Sequence, residues 1–312
     1  MVGLQLLCDM AALPTLRQLR YLQALHQLGH FGKAAELCHV TQSTLSAGIA
    51  ELEELLGARL VERTKRRVLF TPLGNEVAKR GGDLLLQAEA LVELVRAASE
   101  PLSGPLRLGV IPTVAPFLLP RLVLPAKQEF PNLQLVLQEV QTAPLVEQVL
   151  DGRLDCGLLA LPYAAAGLEM AEIGDDPFLL ACRQDHELAK RQRVGTADLD
   201  PSQLLLLEDG HCLRDHVLAA CRLPAAGRAD EIRGTSLHTV VQMVASGLGV
   251  TLLPRMAVQQ GLADGLGLVT RPLDDAPGGR RIALVWRASS PRGAEFRRLA
   301  GFIAAVAMKP GQ

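Results

Sequence analysis

The sequence lacks any apolar run long enough to cross a membrane. A membrane helix needs about 18 consecutive apolar residues, and no stretch of the 312 residues is apolar over that length. The opening segment, MVGLQLLCDMAALP, also lacks the basic stretch with which a secretory signal begins, and it continues into a charged amphipathic segment. We therefore expect a soluble cytoplasmic protein with no membrane partner.

The cysteines form neither a disulfide framework nor a zinc pattern. Six in a chain of this length are few, and thiols are the default state in a reducing cytoplasm. No CxxC pair or Cys–His cluster of zinc spacing occurs, so we expect no metal and no cofactor. Four lack a charged constellation and are expected to be structural thiols: Cys8, Cys38, Cys156 and Cys182.

The composition carries no strong charge of either sign. A formal net charge of −1 argues neither for nor against nucleic acid, because a local basic patch matters more than the total. Residues 1–72 hold eight Lys and Arg against six Asp and Glu. With 49% hydrophobic residues, the chain is long enough for two or three compact domains.

The first third of the chain predicts a helix-turn-helix. Leucines at helical spacing from Leu16 to Leu28 precede Gly29, a second helix covers residues 32–38, and Thr41 caps a third helix over residues 42–56. The predicted buried stripe of this third helix is Leu45, Ile49, Leu52 and Leu56. Polar side chains in the first turns of such a helix read base edges and contact phosphates. The candidates are Gln42, Ser43, Thr44 and Ser46.

A basic run follows this helix. Residues 57–70 (GARLVERTKRRVLF) place several cations between two β-prone segments, which predicts a two-stranded wing over the phosphate backbone. A solvated surface would explain the run if it stood alone. The cations are Arg59, Arg63, Lys65, Arg66 and Arg67.

Thr71 and Pro72 have the residue types that open a helix. Apolar residues then recur every seven positions, at Val77, Leu84, Leu91 and Ala98. Such a helix can pair with a second copy or pack within its own chain. It ends before Pro101, and residues 103–105 are predicted to form a hinge.

The last two thirds of the chain alternate strands and helices, which favours a parallel α/β architecture. Strands are predicted over residues 106–111, 134–139, 156–160, 178–181, 250–253 and 282–286, and helices over 117–130, 144–150, 236–247 and 295–307. Ligands of such sheets bind at the carboxyl ends of the strands. Thr113 and Thr142 both follow strands.

One segment, residues 208–221 (EDGHCLRDHVLAAC), holds two cysteines nine residues apart. If Asp209 caps a helix, Cys212 lies in its first turn, where the helix dipole and nearby cations favour a reactive thiolate. Nine helical residues separate Cα atoms by about 13 Å, whereas a disulfide tolerates roughly 4.4–6.8 Å. The pair is therefore either two inert buried thiols or a switch that must unwind to bond.

Residues 31–74 (FGKAAELCHVTQSTLSAGIAELEELLGARLVERTKRRVLFTPLG) resemble the winged helix-turn-helix of LysR-type transcriptional regulators. Ser43 stands where that family often has Pro, and Gly48 where it often has a long polar residue, so we predict a docking surface and no particular base sequence. The resemblance implies an all-α winged helix-turn-helix domain, a linker helix that pairs two subunits, and an α/β regulatory domain of two lobes like periplasmic binding proteins. The implied boundaries are 1–72 (with 1–12 an extension), 73–102 and 103–312, with lobe I at 103–174 and 281–312 and lobe II at 175–280.

Within that family the chain resembles the peroxide-sensing OxyR subfamily. The resemblance rests on IPTVAPFLLP (111–120), QT (141–142), LDCGLLAL (154–161), LLEDGHCLRD (206–215), Cys221 and TSL (235–237). It implies that Cys212 is the peroxidatic thiol and Cys221 the resolving thiol. The implied peroxide pocket consists of Thr113, Thr142, His211, Arg214 and Asp215, with Arg280 or Arg281 as a further basic partner.

The resemblance also implies the partners. We expect double-stranded DNA, hydrogen peroxide as the signal, a homodimer or homotetramer, RNA polymerase, and a thiol reductant that resets the switch. The chain is then a transcription factor, an activator in oxidative stress, and not an enzyme. Two alternatives are a LysR-type regulator of a small organic effector with structural cysteines, and a thiol peroxidase that happens to bind DNA.

Overall fold

The computed structural model describes residues 13–63, 68–99, 101–163, 166–223, 233–274 and 279–307. These residues divide into two compact units, one up to Glu93 and one from Leu94. The helices are α1 (Leu16–Leu28), α2 (Phe31–Leu37), α3 (Gln42–Leu56), α4 (Pro72–Ser99), α5 (Ala115–Glu129), α6 (Thr142–Leu150), α7 (Cys212–Ala220), α8 (Leu237–Ala245), α9 (Arg255–Gln259) and α10 (Gly293–Ala307). The strands are β1 (Val61–Arg63), β2 (Val68–Phe70), β3 (Gly104–Val110), β4 (Leu133–Glu139), β5 (Cys156–Leu161), β6 (Leu168–Asp176), β7 (Phe178–Arg183), β8 (Leu206–Leu207), β9 (Arg233–Gly234), β10 (Thr251–Pro254), β11 (Leu268–Pro272) and β12 (Arg280–Arg287). In these described ranges, no helix has both the length and the apolar content needed to span a bilayer.

Helices α1, α2 and α3 confirm the predicted helix-turn-helix. Helix α3 begins where Thr41 Oγ1 accepts the Thr44 backbone N–H at 3.2 Å, as a capping residue should. Leu45, Ile49 and Leu52 are fully buried in the core of the three helices. The prediction for Leu56 is wrong: this side chain is exposed, because it ends the helix beside Gly57.

Gly48 lies on the inner side of α3, facing α1. A Cβ at this position would lie 2.7 Å from Cδ2 of Tyr21, too close for the ring to stay where it is. The missing side chain therefore lets α1 and α3 pack closely, and it removes nothing from the outer, polar side of α3.

Strands β1 and β2 pair antiparallel, with Val61 opposite Phe70, and form the predicted wing. The predicted opening of α4 is also confirmed, since Thr71 Oγ1 accepts the Gly74 N–H at 2.9 Å. The predicted hinge over residues 103–105 is wrong, because Gly104 is the first residue of β3 and already pairs with β4. Helix α4 leaves several large apolar side chains exposed: Leu84, Leu91, Val92 and Val95.

The second unit contains two lobes, each with its own apolar core. Lobe I has a five-stranded sheet of order β4-β3-β5-β12-β6, and lobe II has a three-stranded sheet of order β10-β7-β11 and the short pair β8-β9. The chain enters lobe II after Asp176 and returns at Arg280, since both residues pair within the lobe I sheet. The predicted boundaries lie two residues and one residue away from these crossings.

The expected parallel sheet is only partly right. Strand β3 runs parallel to β4 and β5, but β12 runs antiparallel to both of its neighbours, and β7 is antiparallel to β10 and β11. Strand β6 was not expected. It is an edge strand of irregular burial, so its sequence lacks the alternation that marks a half-buried strand.

Candidate thiol site at the carboxyl edge of lobe I

Helix α7 carries one cysteine at each end. Cys212 is its first residue, and Cys221 is its C-cap. The predicted cap is wrong: His211 is the N-cap, and Asp209 lies one residue before Gly210, whose φ of +96° turns the chain. The Asp209 carboxylate lies instead 2.8 Å from Nη1 of Arg214.

The two thiols pack against different cores. Cys212 is half-buried against the core of lobe I, whereas Cys221 is half-buried against the core of lobe II. Leu213 and Val217, on the intervening helix, are buried in lobe II. Helix α7 therefore lies between the lobes and holds its two thiols apart.

The carboxyl ends of three parallel strands meet beneath α7. Thr113 follows β3, Thr142 follows β4, and Pro162 follows β5. Helix α7 contacts this edge at two points. His211 Nε2 lies 3.3 Å from Nε2 of Gln141, and His216 Nε2 lies 3.3 Å from the Pro162 carbonyl oxygen.

Thr113 is held by a buried arginine. Arg280 donates from Nη1 to Thr113 Oγ1 at 2.6 Å and from Nη2 to the Thr113 carbonyl at 2.9 Å. Its Nε donates to Oδ2 of Asp176 at 3.0 Å, which completes an ion pair inside the protein. Arg281, by contrast, pairs on the surface with Glu172. Of the two arginines, Arg280 is therefore the one that reaches the predicted pocket.

Two further predicted pocket residues, Thr142 and Arg214, are buried, but they lie on different sides of α7. Thr142 Oγ1 has no hydrogen-bond partner among the described residues, and neither has Nε of Arg214. Arg214 lines a small cavity of about 10 Å³ in lobe II, so it lies on the side of α7 that faces away from lobe I. Asp215 is exposed and lies 3.8 Å from Arg214.

Sequence reasoning missed three residues of this site: Gln141, Asp176 and His216. The only signal for Gln141 in the sequence is its place in the QT motif. The only signal for Asp176 is an acidic residue next to Pro177, where the chain crosses between the lobes. His216 lies one helical turn after Cys212, which puts the two on one face of α7. Burial lowers the pKa of His216.

The other cysteines in the described ranges lie in environments that favour the protonated thiol. Burial raises the pKa of Cys156 and of Cys182, and it also raises the pKa of Cys38. Burial raises the pKa of Cys221 to about 11. Cys8 lies outside the described residues.

The predicted DNA-contacting residues of α3 lie at its start. Gln42, Ser43 and Thr44 are exposed, and Ser46 is half-buried. The Thr41 hydroxyl lies within 2.9 Å of the hydroxyls of both Ser43 and Thr44, which orients this polar turn. On the wing, Arg63 ends β1. Lys65 and Arg66 lie outside the described residues.

Two family models match the chain. The bacterial regulatory helix-turn-helix of the lysR family matches residues 16–75, and the LysR substrate binding domain matches residues 99–308. The chain therefore belongs to the LysR family of bacterial transcription regulators.

The similarity also reaches a particular branch of that family. The chain is 42% identical to the DNA-binding transcriptional dual regulator OxyR of Escherichia coli K12, over 93% of this chain and 95% of the relative. It is 45% identical to the HTH-type transcriptional regulator EstR of Acinetobacter baylyi, over 92% of this chain and 95% of the relative. The predicted resemblance to the OxyR branch is confirmed.

Solved structures agree with that placement. A full-length OxyR from Pseudomonas aeruginosa, with a cysteine replaced by aspartate, superposes with a TM-score of 0.77 at 36% identity and covers 95% of both chains. A peroxide-bound OxyR cysteine-to-serine variant from Corynebacterium glutamicum gives a TM-score of 0.65 at 35% identity, covering 95% of this chain and 94% of that one.

Proposed function

We propose that the chain is a transcription regulator that senses hydrogen peroxide through reversible oxidation of Cys212 and Cys221. The observation that carries the proposal is their placement at opposite ends of α7, against different cores. A disulfide needs Cα atoms within roughly 7 Å, so the bond requires α7 to unwind. A chemical signal thereby becomes a change of fold.

The chemistry proceeds in two balanced steps. The Cys212 thiolate attacks one oxygen of hydrogen peroxide, the O–O bond breaks, and the products are a sulfenic acid and hydroxide. The Cys221 thiolate then attacks the Cys212 sulfur, the S–O bond breaks, and hydroxide leaves as the disulfide forms. The two thiols together supply the two electrons that reduce the peroxide, and a thiol reductant restores them by exchange.

The raised pKa of Cys221 determines the order of these two steps. At about 11, that pKa leaves almost no thiolate at neutral pH while the helix is folded. Cys221 therefore becomes a nucleophile only after its end of α7 leaves the apolar core of lobe II. The first oxidation precedes the unwinding, and the unwinding permits the second step.

The proposed peroxide pocket lies at the carboxyl edge of lobe I. Thr113, fixed by Arg280, and Thr142, whose hydroxyl has no partner within the described ranges, can hydrogen-bond the two peroxide oxygens. His211 adjoins Cys212 and orients the start of α7 through Gln141. Arg214 adds positive charge near the helix start and binds Asp209, while Asp215 acts only through Arg214.

We further propose that the refolded segment changes how regulatory domains pair in a dimer or tetramer, and that this moves the DNA-binding domains on their operator and alters contact with RNA polymerase. Contacts to DNA would come from the polar start of α3 and from the basic wing. The proposed contact residues are Gln42, Ser43, Thr44, Ser46, Arg63, Lys65 and Arg66.

The decisive experiment combines intact mass with a DNA footprint. Peroxide should remove two hydrogens from the protein, the bridge should map to Cys212 and Cys221, and Cys212→Ser should abolish the change in footprint. Cys182→Ser is the matched control, since that thiol is buried in lobe II on β7 and does not belong to α7. A wild-type footprint response in Cys212→Ser would overturn the proposal.

The same experiment separates the two alternatives. A regulator of a small organic effector would form no bridge, and its footprint would not change with peroxide. A thiol peroxidase would consume many equivalents of peroxide with a reductant, whereas a sensor reacts about once in each cycle of reduction.

A further inference from the structure

A second cavity, of about 230 Å³, lies where the chain crosses between the two lobes. Its wall includes Asp175 and Asp176 at the end of β6, and Arg255 and Met256 at the start of α9. Neither cysteine of α7 lines it, nor does either threonine of the proposed peroxide pocket. It is therefore a separate site, although Asp176 connects it through Arg280 to Thr113.

The cavity wall carries two opposite charges, Arg255 and Asp175, and both residues are exposed. Neither the Arg255 guanidinium nor the Asp175 carboxylate has a hydrogen-bond or ion-pair partner among the described side chains, and the two do not pair with each other. Asp176 differs, because it accepts hydrogen bonds from the Met256 N–H and from Arg280. Arg121, also in the wall, donates to the Val306 carbonyl at 3.3 Å.

Apart from Gln259, the remaining wall is apolar, and Phe117, Ile173 and Ile282 in it are buried. The volume is below the roughly 300–1,000 Å³ of sites for drug-sized ligands, which suits a molecule of amino-acid size. A guanidinium prefers a carboxylate, and a carboxylate prefers an ammonium group.

We infer that this cavity binds an apolar α-amino acid. The ligand carboxylate pairs with Arg255, its ammonium group pairs with Asp175, and its side chain packs against Phe117 and Ile173. This site goes beyond the proposed peroxide response and does not depend on it, because no cysteine takes part.

Calorimetric titration of the full chain, kept reduced, with L-leucine tests the inference. Three probes remove one feature each: 4-methylpentanoate lacks the ammonium group, leucinamide lacks the carboxylate, and glycine lacks the apolar side chain. Leucine should bind at least about tenfold more tightly than each of them, since one charge-assisted contact, or the burial of one leucine side chain, contributes at least that much.

Two variants assign the charges. Arg255→Gln should weaken leucine about tenfold or more and abolish its advantage over leucinamide, and Asp175→Asn should abolish its advantage over 4-methylpentanoate. Arg153→Gln and Asp151→Asn make the same changes at a surface ion pair and should bind leucine normally. Thermal unfolding of each variant checks its fold. Absence of leucine binding, equal affinity for the single-charge probes, or normal binding by both cavity variants would overturn the inference.

Discussion

The two ends of α7 differ in what surrounds their thiols. Cys212 begins the helix beside buried polar groups at the carboxyl edge of lobe I, whereas Cys221 ends it against aliphatic side chains of lobe II. An apolar core favours a protonated thiol, and burial raises the pKa of Cys221. One short helix therefore places its two cysteines in different surroundings, and the proposed division into attacking and resolving thiol rests on that difference.

The largest effect should come from removing one thiol at a time. We expect Cys212→Ser to take up no oxygen from equimolar peroxide, because no other described thiol lies beside a helix start and buried polar groups. Cys221→Ser should gain one oxygen on Cys212 and form no bridge. Intact mass after trapping with a sulfenic-acid reagent measures both outcomes, and equal products from the two variants would remove the distinction between the ends.

The stability of the polar pocket at the Cys212 end of α7 should depend on the buried ion pair that holds Thr113. Arg280→Gln leaves the Asp176 carboxylate buried without its partner, so we expect a loss of about 3–5 kcal/mol in the free energy of unfolding. Arg281→Gln is a matched control in the next residue, where an exposed pair should cost about 0–1 kcal/mol. Urea unfolding of the reduced variants measures both, and similar losses at the two positions would contradict this account.

The apolar end can be tested by alkylation. Burial raises the pKa of Cys221 to about 11. The rate of alkylation at Cys221 should therefore increase with pH up to that value, whereas the rate for an ordinary thiol stops increasing near the reference pKa of 9.0. Near neutral pH the folded protein should therefore alkylate at Cys221 roughly a hundredfold more slowly than the same protein in urea. Cys212→Ser isolates the measurement from the other end of α7. A rate that levels off near pH 9 would contradict the assigned burial.

The sign of the linked stability effect follows from the same pKa. The folded pKa of Cys221 is above the unfolded one, so its contribution to stability is complete below about pH 9 and is lost as pH rises towards about 11. Cys221→Ser should make the fall in stability over that interval smaller.

Local chemistry made much of this fold predictable. Thr41 and Thr71 cap helices in the structure as their sequence contexts indicated, and α4 is one continuous helix from Pro72 to Ser99. The predictions that were wrong depend on tertiary contacts. Asp209 has the right residue type for a cap, but Arg214 binds it, and the direction of β12 depends on a return from lobe II that no local pattern records.

The thiol site, like the fold, could be predicted where it depends on local sequence and not where it depends on tertiary contacts. The sequence marks Cys212 and Cys221 by their spacing, and a helix of that length determines their separation. It does not mark Asp176, which reaches Arg280 across 104 residues of chain, or the carbonyl of Pro162 beneath His216. Nor does it reveal that Arg214 faces lobe II, because that depends on how α7 is rotated between the two cores.

The smallest expected effect concerns His216, on the side of α7 that contacts lobe I. Burial lowers its pKa below 6.5, and the charge of Arg280 adds to that, while the Pro162 carbonyl and Asp215 oppose it. The unfolded chain then binds a proton near pH 6.5 that the folded chain does not, so stability should fall as pH decreases below that value. His216→Gln keeps a donor for the Pro162 carbonyl but cannot titrate, so the fall in stability between about pH 6.5 and pH 5 should be smaller in this variant. Urea unfolding at several pH values measures the slope, with the exposed His26→Gln as control. The same dependence of stability on pH in His216→Gln as in the wild type would show that the contact between lobe I and α7 does not require a neutral histidine. The difference between the two ends of α7 would then depend on the thiols and on the buried pair of Arg280 and Asp176.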